Sequence, residues 1–385
     1  MFAENLPESV IKRLSIRVKE AGGINLGQGI PSFPTPGHIL DAARLALADP
    51  AIGAYPNFLG SLSLRQAVID RLNSEYGLTL SAADNVLITV GAMEATATAV
   101  LSLVGNGDRV GVLTPDYCNH FPQVMLARGE IVEIPMREDD SAWHIDTDKL
   151  TKAAEKGLRL LILTNPNNPT GQVFTRDGLK DLVSIASRYG IWILSDETYS
   201  FLNYGEIPAG LLSFYQEYER LIVVRSFSKE YAMTGWRVGY AVAPREMLLT
   251  MAKTHDALVG CVPKISQRAA LAALNGPQEA VQEFVEVFTR RQRKTVSALK
   301  KLPKSISFVP PGGAYYIFPK YRLPLTSMAI SDTILREVGV AVVPGIVFGS
   351  AGEHHIRISF AADDRVLEEG LRRLTRFFRH AARGL

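Results

Sequence analysis

Lys229 lies among residues that could hold an anion next to a reactive amine. Ser226 and Ser228 precede it and Arg237 follows it by eight positions. A lysine amine can bond covalently to a carbonyl compound, whereas hydroxyl and guanidinium groups bind phosphate. Most lysines are exposed and unreactive, so Lys229 alone would indicate nothing. The segment as a whole favours covalent binding of a phosphorylated carbonyl compound.

An acidic residue follows a short apolar run upstream of this lysine. Asp196 comes directly after residues 191–195, which read as a buried strand, and Tyr199 lies three positions further on. A buried carboxylate can keep a heterocyclic nitrogen protonated, and a tyrosine can donate to a phenolate oxygen. The alternatives are that Asp196 caps the next segment and that Tyr199 is a half-buried aromatic. With Lys229, these residues predict a site for pyridoxal phosphate (PLP).

Two further segments are suited to the same ligand. Residues 165–171 contain three Asn and two Pro and form a rigid turn after another strand, from which Asn168 is expected to face the cofactor. Gly91, Ala92 and Met93 open a helix, whose free amide groups favour a phosphate. Close packing of strand and helix explains Gly91 equally well.

Arg357 is a candidate for binding a carboxylate. Alternation along residues 355–359 puts His355, Arg357 and Ser359 on one face of a strand. An arginine there can hold a carboxylate with two hydrogen bonds, although a surface ion pair is the commoner role.

The seven histidines show no metal-ligand spacing, so no metal is expected. Residues 105–109 lack the glycine spacing of a dinucleotide site and are predicted to be a turn.

Composition limits the classes of protein. The chain has 385 residues, 42 basic and 39 acidic, so its net charge of +3 gives no reason to expect nucleic acid or an anionic membrane as partner. The two cysteines, Cys118 and Cys261, form neither a disulfide framework nor a metal motif. No signal-peptide pattern or membrane span is recognisable. We therefore expect a cytoplasmic protein.

The elements that must position these residues alternate along the chain. Apolar runs predict strands and amphipathic runs predict helices between them, which together indicate an α/β domain with a mainly parallel sheet. The strands are expected at 86–90, 109–113, 130–134, 158–164, 191–195 and 221–224, and the helices at 91–104 and 176–189. A long helix at 279–301 and short strands at 314–318 and 355–359 predict a smaller α+β domain. We expect a large domain over 46–280 and a small one from 1–45 and 281–385.

With these motifs in order, the chain resembles the class I/II aminotransferases of PLP fold type I over nearly its whole length. The segments that carry the resemblance are 25–36, 55–60, 91–95, 115–117, 165–171, 195–199, 226–237 and 349–359. The resemblance implies a large domain with a mainly parallel, seven-stranded type of sheet flanked by helices. It also implies a homodimer and PLP as cofactor.

The resemblance assigns catalytic and ring-binding roles. Lys229 would hold PLP covalently and later move a proton between the substrate α-carbon and the cofactor. Asp196 would pair with the ring nitrogen, Tyr199 and Asn168 would contact the ring hydroxyl, and Tyr117 would stack on the ring. The local sequence at residues 115–120 differs from the commonest sequences of the family.

The resemblance also implies a phosphate site and a substrate site. The phosphate would meet the start of the helix at Gly91 and the backbone amides of Ala92 and Met93. The side chains of Ser226 and Arg237, and that of Tyr55 across the dimer interface, would also contact it. The substrate α-carboxylate would be bound by Arg357, with help from Asn168 and the backbone of Gly29.

The sequence also bears on the class of substrate. No residue matches the second arginine that binds the distal carboxylate in dicarboxylate-specific members, although Arg13 or Arg17 could reach a distal group. Ile30, Phe33, Tyr117 and Phe121 would form an apolar pocket for aromatic or neutral side chains. Phe33 and Phe121 are equally well explained as core residues.

The favoured function is transfer of an α-amino group to a 2-oxo acid by a ping-pong mechanism. The alternative on the same fold is a β- or γ-lyase or a cyclase, which the sequence hardly distinguishes. A PLP-binding transcription regulator would need a DNA-binding module and a basic excess, which are not recognisable. An inactive interaction protein is disfavoured because every chemical position holds a competent residue.

Overall fold

A seven-stranded sheet forms the centre of the protein. The computed structural model describes residues 6–205 and 210–381. The strands are β1 Ile24–Asn25, β2 Val86–Thr89, β3 Arg109–Thr114, β4 Glu130–Pro135, β5 Arg137–Glu138, β6 Trp143–His144, β7 Leu160–Thr164, β8 Trp192–Asp196, β9 Leu221–Ser226, β10 Gly239–Val242, β11 Ile306–Ser307, β12 Tyr316–Ile317, β13 Lys320–Tyr321, β14 Val340–Ala341, β15 Val343–Pro344 and β16 Ile356–Ser359.

The helices alternate with the sheet strands in the first two thirds of the chain. They are α1 Val10–Glu20, α2 Gly37–Ala46, α3 Leu62–Tyr76, α4 Gly91–Leu103, α5 His120–Leu126, α6 Thr147–Glu155, α7 Arg176–Tyr189, α8 Phe227–Glu230, α9 Arg245–Val259, α10 Lys264–Asn275, α11 Glu279–Leu299, α12 Ser327–Val338 and α13 Asp364–Ala381. This alternation confirms the predicted α/β class.

The order of the sheet strands brings the functional segments to one edge. The order is β2-β10-β9-β8-β7-β3-β4, in which only β10 runs antiparallel to its neighbours. In the register of β7 and β8, Thr164 pairs with Asp196. The carboxyl ends of β3, β7, β8 and β9 therefore meet at a common edge, which is where ligands bind in open α/β sheets.

Local sequence explains where the flanking helices begin and end. The Thr175 hydroxyl accepts a hydrogen bond from the amide of Gly178 at 3.1 Å and caps the start of α7. Gly190 ends the helix with a φ of 66°, a conformation that glycine adopts without strain. Helices on both faces cover the sheet, whose strands β7 and β9 are buried along their whole length.

A second core joins the two ends of the chain. β1 pairs in parallel with β14, and the Leu26 amide donates to Ala341 O at 3.0 Å. Leu26 and Phe33 pack with apolar residues of α11, α12 and α13.

The division into domains 46–280 and 1–45 with 281–385 stays a proposal. Residues 1–5, 206–209 and 382–385 of these ranges lie outside the described residues. No helix in the described part of the chain is long and apolar enough to cross a membrane.

Candidate active site

A cavity of about 250 Å³ lies at the carboxyl edge of the parallel strands. It is lined by most of the residues singled out from the sequence, namely Gly29, Ala92, Met93, Tyr117, Asn168, Asp196, Tyr199, Ser226, Lys229, Arg237 and Arg357. These residues come from the ends of five strands or the segments after them (β1, β3, β7, β8 and β9), from the start of α4 and from β16. The folded chain therefore gathers segments that are up to about 330 positions apart.

Lys229 projects into this cavity from the short helix α8, directly after β9. Its Nζ donates a hydrogen bond to the carbonyl oxygen of Gly29 at 2.7 Å. Burial and the nearby cations Arg237 and Arg357 together lower the pKa of Lys229 to about 8, against the opposing effect of Asp196. About a tenth of this amine is thus uncharged, and nucleophilic, at pH 7, far more than for a lysine at its ordinary pKa.

Asp196 is the last residue of β8 and is held by the residues that follow it. Its Oδ1 accepts hydrogen bonds from the backbone amide of Thr198 at 3.0 Å and from the Thr198 hydroxyl. These bonds fix one carboxylate oxygen as an acceptor. Its Oδ2 lies 3.8 Å from Nε2 of the fully buried His120.

A second carboxylate lies behind the imidazole of His120. Asp116 Oδ2 is 3.5 Å from Nδ1 of His120, and both side chains are fully buried. Burial tends to lower the pKa of His120, but Asp116 and Asp196 more than offset this effect and raise it to about 9. Burial raises the pKa of Asp116. We infer that a positively charged imidazole stands behind Asp196 at neutral pH.

The start of α4 and the loop after α8 form the opposite end of the cavity. Gly91 has a φ of 76°, and a Cβ built on it would lie 2.5 Å from Nη2 of Arg237. Arg237 donates to Val90 O at 3.2 Å and to Thr234 O at 2.9 Å. Free helix amides next to a guanidinium and the Ser226 hydroxyl make an anion-binding end.

The turn after β7 is fixed by its own asparagines and by a distant turn. Asn167 Oδ1 accepts hydrogen bonds from the Thr170 amide and hydroxyl at 3.1 and 2.7 Å. The carbonyl of Gly171 accepts from the amides of Gly312 and Gly313, both at 2.9 Å. These contacts leave Asn168 directed towards the cavity, which it lines.

Arg357 occupies the same side of the cavity as Asn168. Its Nη1 donates to Asn168 Oδ1 at 2.8 Å, and its Nη2 donates to Gly27 O. Nε of this buried arginine has no hydrogen-bond partner within the described residues. A guanidinium held in place by neutral oxygens keeps its charge available for an incoming carboxylate.

Two tyrosines complete the walls. The ring of Tyr117 meets the imidazole of His120 edge to face with 5.5 Å between centroids, and its hydroxyl accepts from Asn119 Nδ2 at 2.7 Å. The hydroxyls of Tyr199 and Tyr316 are 2.9 Å apart. Burial, more than its neighbours, raises the pKa of Tyr199 well above the usual value, so its hydroxyl is protonated at neutral pH.

Some of the sequence predictions fall elsewhere in the structure. Tyr55 is 93% exposed and does not line the cavity of its own chain. Phe33 stacks on Phe284 of α11 with 4.2 Å between centroids, as a core residue does, and Ile30 is 47% exposed. Phe121 lines a second cavity beyond Tyr117.

Other residues of the site were missed by sequence reasoning. Tyr316 lines the cavity because β12 pairs with β16, opposite Ser359. His120 reaches Asp196 from the first turn of α5, and only its spacing of four from Asp116 hinted at a pair. Thr234 and Ile11 also line the cavity. Ile11 belongs to α1, the helix of Arg13 and Arg17, but was not itself singled out from the sequence.

These residues suit PLP in several respects. The cavity contains an amine with a lowered pKa, a carboxylate fixed by two hydrogen bonds and an anion-binding helix start. The hydroxyl of Thr164 is buried and has no hydrogen-bond partner within the described residues, although its residue lines the cavity. The amine could bind the aldehyde, the carboxylate could face the ring nitrogen and the helix start could hold the phosphate. The arrangement is that of an enzyme that binds PLP and an α-amino acid.

Comparison with known proteins agrees with this class. Residues 21–374 match the family described as "Aminotransferase class I and II". The aspartate aminotransferase of Pyrococcus horikoshii is 35% identical over 95% of this chain and 94% of its own. Aromatic-amino-acid aminotransferase 2 of Thermococcus litoralis is 33% identical over 96% and 95%. The crystal structure of an aromatic aminotransferase from P. horikoshii superposes with a TM-score of 0.89 at 34% identity, covering 95% and 99% of the two chains.

The chain belongs to the class I and II aminotransferase family. It is a PLP-dependent enzyme of fold type I that transfers the amino group of an amino acid to a 2-oxo acid. The fold, cofactor and reaction class predicted from the sequence are confirmed.

Proposed function

We propose that this aminotransferase acts on aromatic or other neutral amino acids rather than on dicarboxylic ones. The supporting observation is the number of cations at the site. In the described part of the chain, the cations that line the cavity are Lys229, Arg237 and Arg357. The first is the amine, the second belongs to the anion-binding end and the third is needed for the substrate α-carboxylate. A distal carboxylate would find no further positive charge there.

The two arginines of α1 do not change this count. Arg17 Nη1 donates to Asp332 Oδ1 of α12 at 2.6 Å. Arg13 lies 3.5 Å from the Glu8 carboxylate, and both side chains are largely exposed. Neither residue lines the cavity. Since each is next to a carboxylate of its own, we do not assign a substrate contact to either.

A second cavity of about 340 Å³ offers room for a large side chain. Cys118 and Asn119 border it, and they directly follow Tyr117 in the wall of the active site. Its lining is mostly apolar and includes Val10, Phe121, Pro122, Ile346 and Val347. Its charged members are the carboxylates Glu8 and Glu133, which would repel a substrate carboxylate. The lining favours aromatic and aliphatic side chains.

Each residue of the site has a role in the proposed reaction. PLP, when bound, supplies an electron-withdrawing ring that makes the substrate α-proton acidic. Arg357 and Asn168 orient the substrate by its α-carboxylate. Lys229 would hold PLP through its Nζ, and the same amine, when free, would take up and give back the substrate α-proton. Asp196 keeps the ring nitrogen protonated, and Tyr199 donates to the ring oxygen.

The remaining roles concern binding of the cofactor. Ala92, Met93, Ser226 and Arg237, together with the backbone turn at Gly91, hold the phosphate. Tyr117 covers the ring. The Gly29 carbonyl, which accepts a hydrogen bond from Lys229 in the structure, limits the space in front of the amine.

We propose that the active unit is a homodimer with shared sites. Large apolar side chains are exposed along one stretch of the chain, at Leu45, Leu47, Tyr55 and Leu62, which are 61–93% accessible. The stretch is tied to α10 through Lys264, which donates to Ala51 O. A second copy covering this face would bury the apolar residues and could bring Tyr55 to the neighbouring phosphate site.

The substrate proposal is tested with a panel of amino acids and one common 2-oxo acid. We expect kcat/KM for phenylalanine, tyrosine, methionine or leucine to exceed that for aspartate and glutamate by at least about tenfold, the cost of one unpaired carboxylate. A preference for aspartate would refute the proposal. Release of ammonia with the 2-oxo acid, without an acceptor, would instead support the lyase alternative, which the names of the relatives do not favour.

The predicted cytoplasmic location remains a proposal from composition and from two cysteines that form no disulfide with each other.

A further inference from the structure

Tyr316 lies where the substrate side and the cofactor side of the cavity meet. It is the first residue of β12 and pairs with Ser359 of β16, two positions beyond Arg357. Its side chain is 2% exposed and lines the active-site cavity. Two of its contacts reach residues with different roles in the proposed reaction, one through the ring and one through the hydroxyl.

The ring of Tyr316 supports the guanidinium of Arg357. The guanidinium carbon is 4.4 Å from the ring centroid of Tyr316 and 4.9 Å from that of Phe348. A cation packed on an aromatic face is attracted by the electron density of the ring. Arg357 has no carboxylate partner within the described residues, so these rings and the oxygens of Asn168 and Gly27 hold it in position.

The hydroxyl of Tyr316 supports the hydroxyl of Tyr199. The two oxygens are 2.9 Å apart, and either could donate. Burial raises the pKa of both tyrosines, so each carries one hydrogen. When the Tyr199 hydroxyl donates a hydrogen bond to the ring oxygen of PLP, the Tyr199 oxygen can only accept a hydrogen bond from the Tyr316 hydroxyl. A hydroxyl that accepts a hydrogen bond becomes a stronger donor, because hydrogen bonds in a chain polarise one another.

Gly29 makes room for this arrangement. A Cβ on Gly29 would lie 1.9 Å from the Tyr316 hydroxyl oxygen, which no side chain could tolerate. The Gly29 carbonyl accepts hydrogen bonds from Lys229 at 2.7 Å and from the Tyr315 hydroxyl at 3.0 Å. Tyr316 is therefore enclosed by the segments that carry Lys229, Tyr199 and Arg357.

We propose that Tyr316 is a positioning residue with two separable effects: its hydroxyl strengthens the hydrogen bond from Tyr199 to the cofactor, and its ring holds Arg357 for the substrate carboxylate. The first effect rests on the proposed role of Tyr199, and the second on that of Arg357. Neither effect requires Tyr316 to touch a reacting atom.

The hydroxyl effect is tested by the pH midpoint at which the visible absorbance of protein-bound PLP changes. A hydrogen bond to the anionic ring oxygen favours the form that has lost a proton, so a weaker bond raises the midpoint. We expect Tyr199→Phe to raise it by more than about one pH unit and Tyr316→Phe by about half a unit. Tyr204→Phe is the matched control, because it removes a buried hydroxyl that donates to Ala314 O, away from the cavity lining. It should leave the midpoint unchanged.

The double variant shows whether Tyr316 acts through Tyr199. We expect Tyr199→Phe with Tyr316→Phe to have the midpoint of Tyr199→Phe alone, since the second change then has nothing left to weaken. Additive shifts, or a Tyr316→Phe midpoint equal to that of the unchanged protein, would overturn the hydroxyl effect. If Tyr199→Phe itself leaves the midpoint unchanged, the proposed role of Tyr199 fails, and the hydroxyl effect fails with it.

The ring effect is tested by comparing two substitutions at the same position. Tyr316→Phe keeps the aromatic face, and we expect KM for the amino acid to stay within about twofold. Tyr316→Met keeps most of the volume but loses the face, and KM should rise by about five- to tenfold, as for the loss of one cation–aromatic contact. The dissociation constant of an unreactive carboxylic acid, measured from its effect on the PLP absorbance, should rise by the same factor. Equal constants for the two variants would refute the ring effect.

Discussion

Lys229 combines two conditions that both favour an uncharged amine, namely burial and a position close to two cations. Its surroundings are buried, and Arg237 and Arg357 both disfavour the ammonium form. With a pKa of about 8, about half of the amine is uncharged at pH 8, against about 0.3% for a lysine at its ordinary value. The same two arginines bind the anions in the proposed reaction, so the groups that attract the ligands also activate the nucleophile.

This environment predicts how the rate of covalent PLP binding depends on pH. Because only the uncharged amine reacts, the rate for cofactor-free protein should rise with pH through about 8 and then level off. The measurement is the appearance of visible absorbance after mixing with PLP. Arg357→Leu removes a charge that lowers the pKa of Lys229, so its profile should move to higher pH. A profile that does not move would contradict the assigned cause.

Replacement of the lysine separates binding from catalysis. We expect Lys229→Ala to bind PLP without a covalent link and to lose at least about 10³-fold in kcat, because general acid–base catalysis of this size depends on the amine. Lys253→Ala, which changes an exposed lysine of α9, is the control and should keep full activity. Mass spectrometry after borohydride reduction would locate the covalent link. Turnover by Lys229→Ala at the unchanged rate would refute the assignment.

At the residue scale, the sequence predicted the parts of the site that follow strands. Lys229, Asp196 and Asn168 each come after an apolar run, and the ends of parallel strands must lie together. Tyr316 and His120 could not be predicted in this way. Tyr316 enters the cavity because of pairing between β12 and β16, and His120 because α5 places it beneath Asp196. Such contacts depend on tertiary packing, which residue spacing does not specify.

The start of α4 is the element that most directly forms the anion-binding end. Its first residue, Gly91, has a φ of 76° and leaves no room for a side chain beside Arg237. The predicted helix at 91–104 differs by one residue from the observed Gly91–Leu103. The predicted bounds of α7 are those observed, because capping residues mark both its ends. Short strands such as β12 were placed less well, since two paired residues leave little pattern to read.

We predict that Gly91→Ala weakens PLP binding. The added methyl group would lie 2.5 Å from Arg237 Nη2 and would displace the guanidinium, so the dissociation constant for PLP should rise about tenfold. Gly77→Ala is the matched control, because Gly77 has a similar φ of 66° but a Cβ there meets no atom within 4 Å. Both variants should lose about 1 kcal/mol of stability to backbone strain. Equal PLP affinities would show that Arg237 is not held as described.

At the scale of the whole molecule, the proposed dimer ties cofactor binding to association. Tyr55 is 93% exposed in one chain and can take part in phosphate binding only if a second chain receives it. We expect light scattering to show a dimer at micromolar concentration, and Tyr55→Phe to remain dimeric with about a fivefold higher dissociation constant for PLP. Full PLP affinity in a monomer would contradict shared sites.

The joining of the two chain ends also bears on how the enzyme is made. A ribosome that has reached Val242 has synthesised all seven strands of the central sheet, together with Lys229 and Asp196. The partner strand of β1 and the arginine that bonds to Gly27 are made about a hundred residues later. The nascent chain can therefore form the cofactor side first, and the substrate side is completed only near the end of translation. Synthesis of the residues proposed to hold PLP is therefore separated in time from synthesis of Arg357, which is proposed to orient the amino acid.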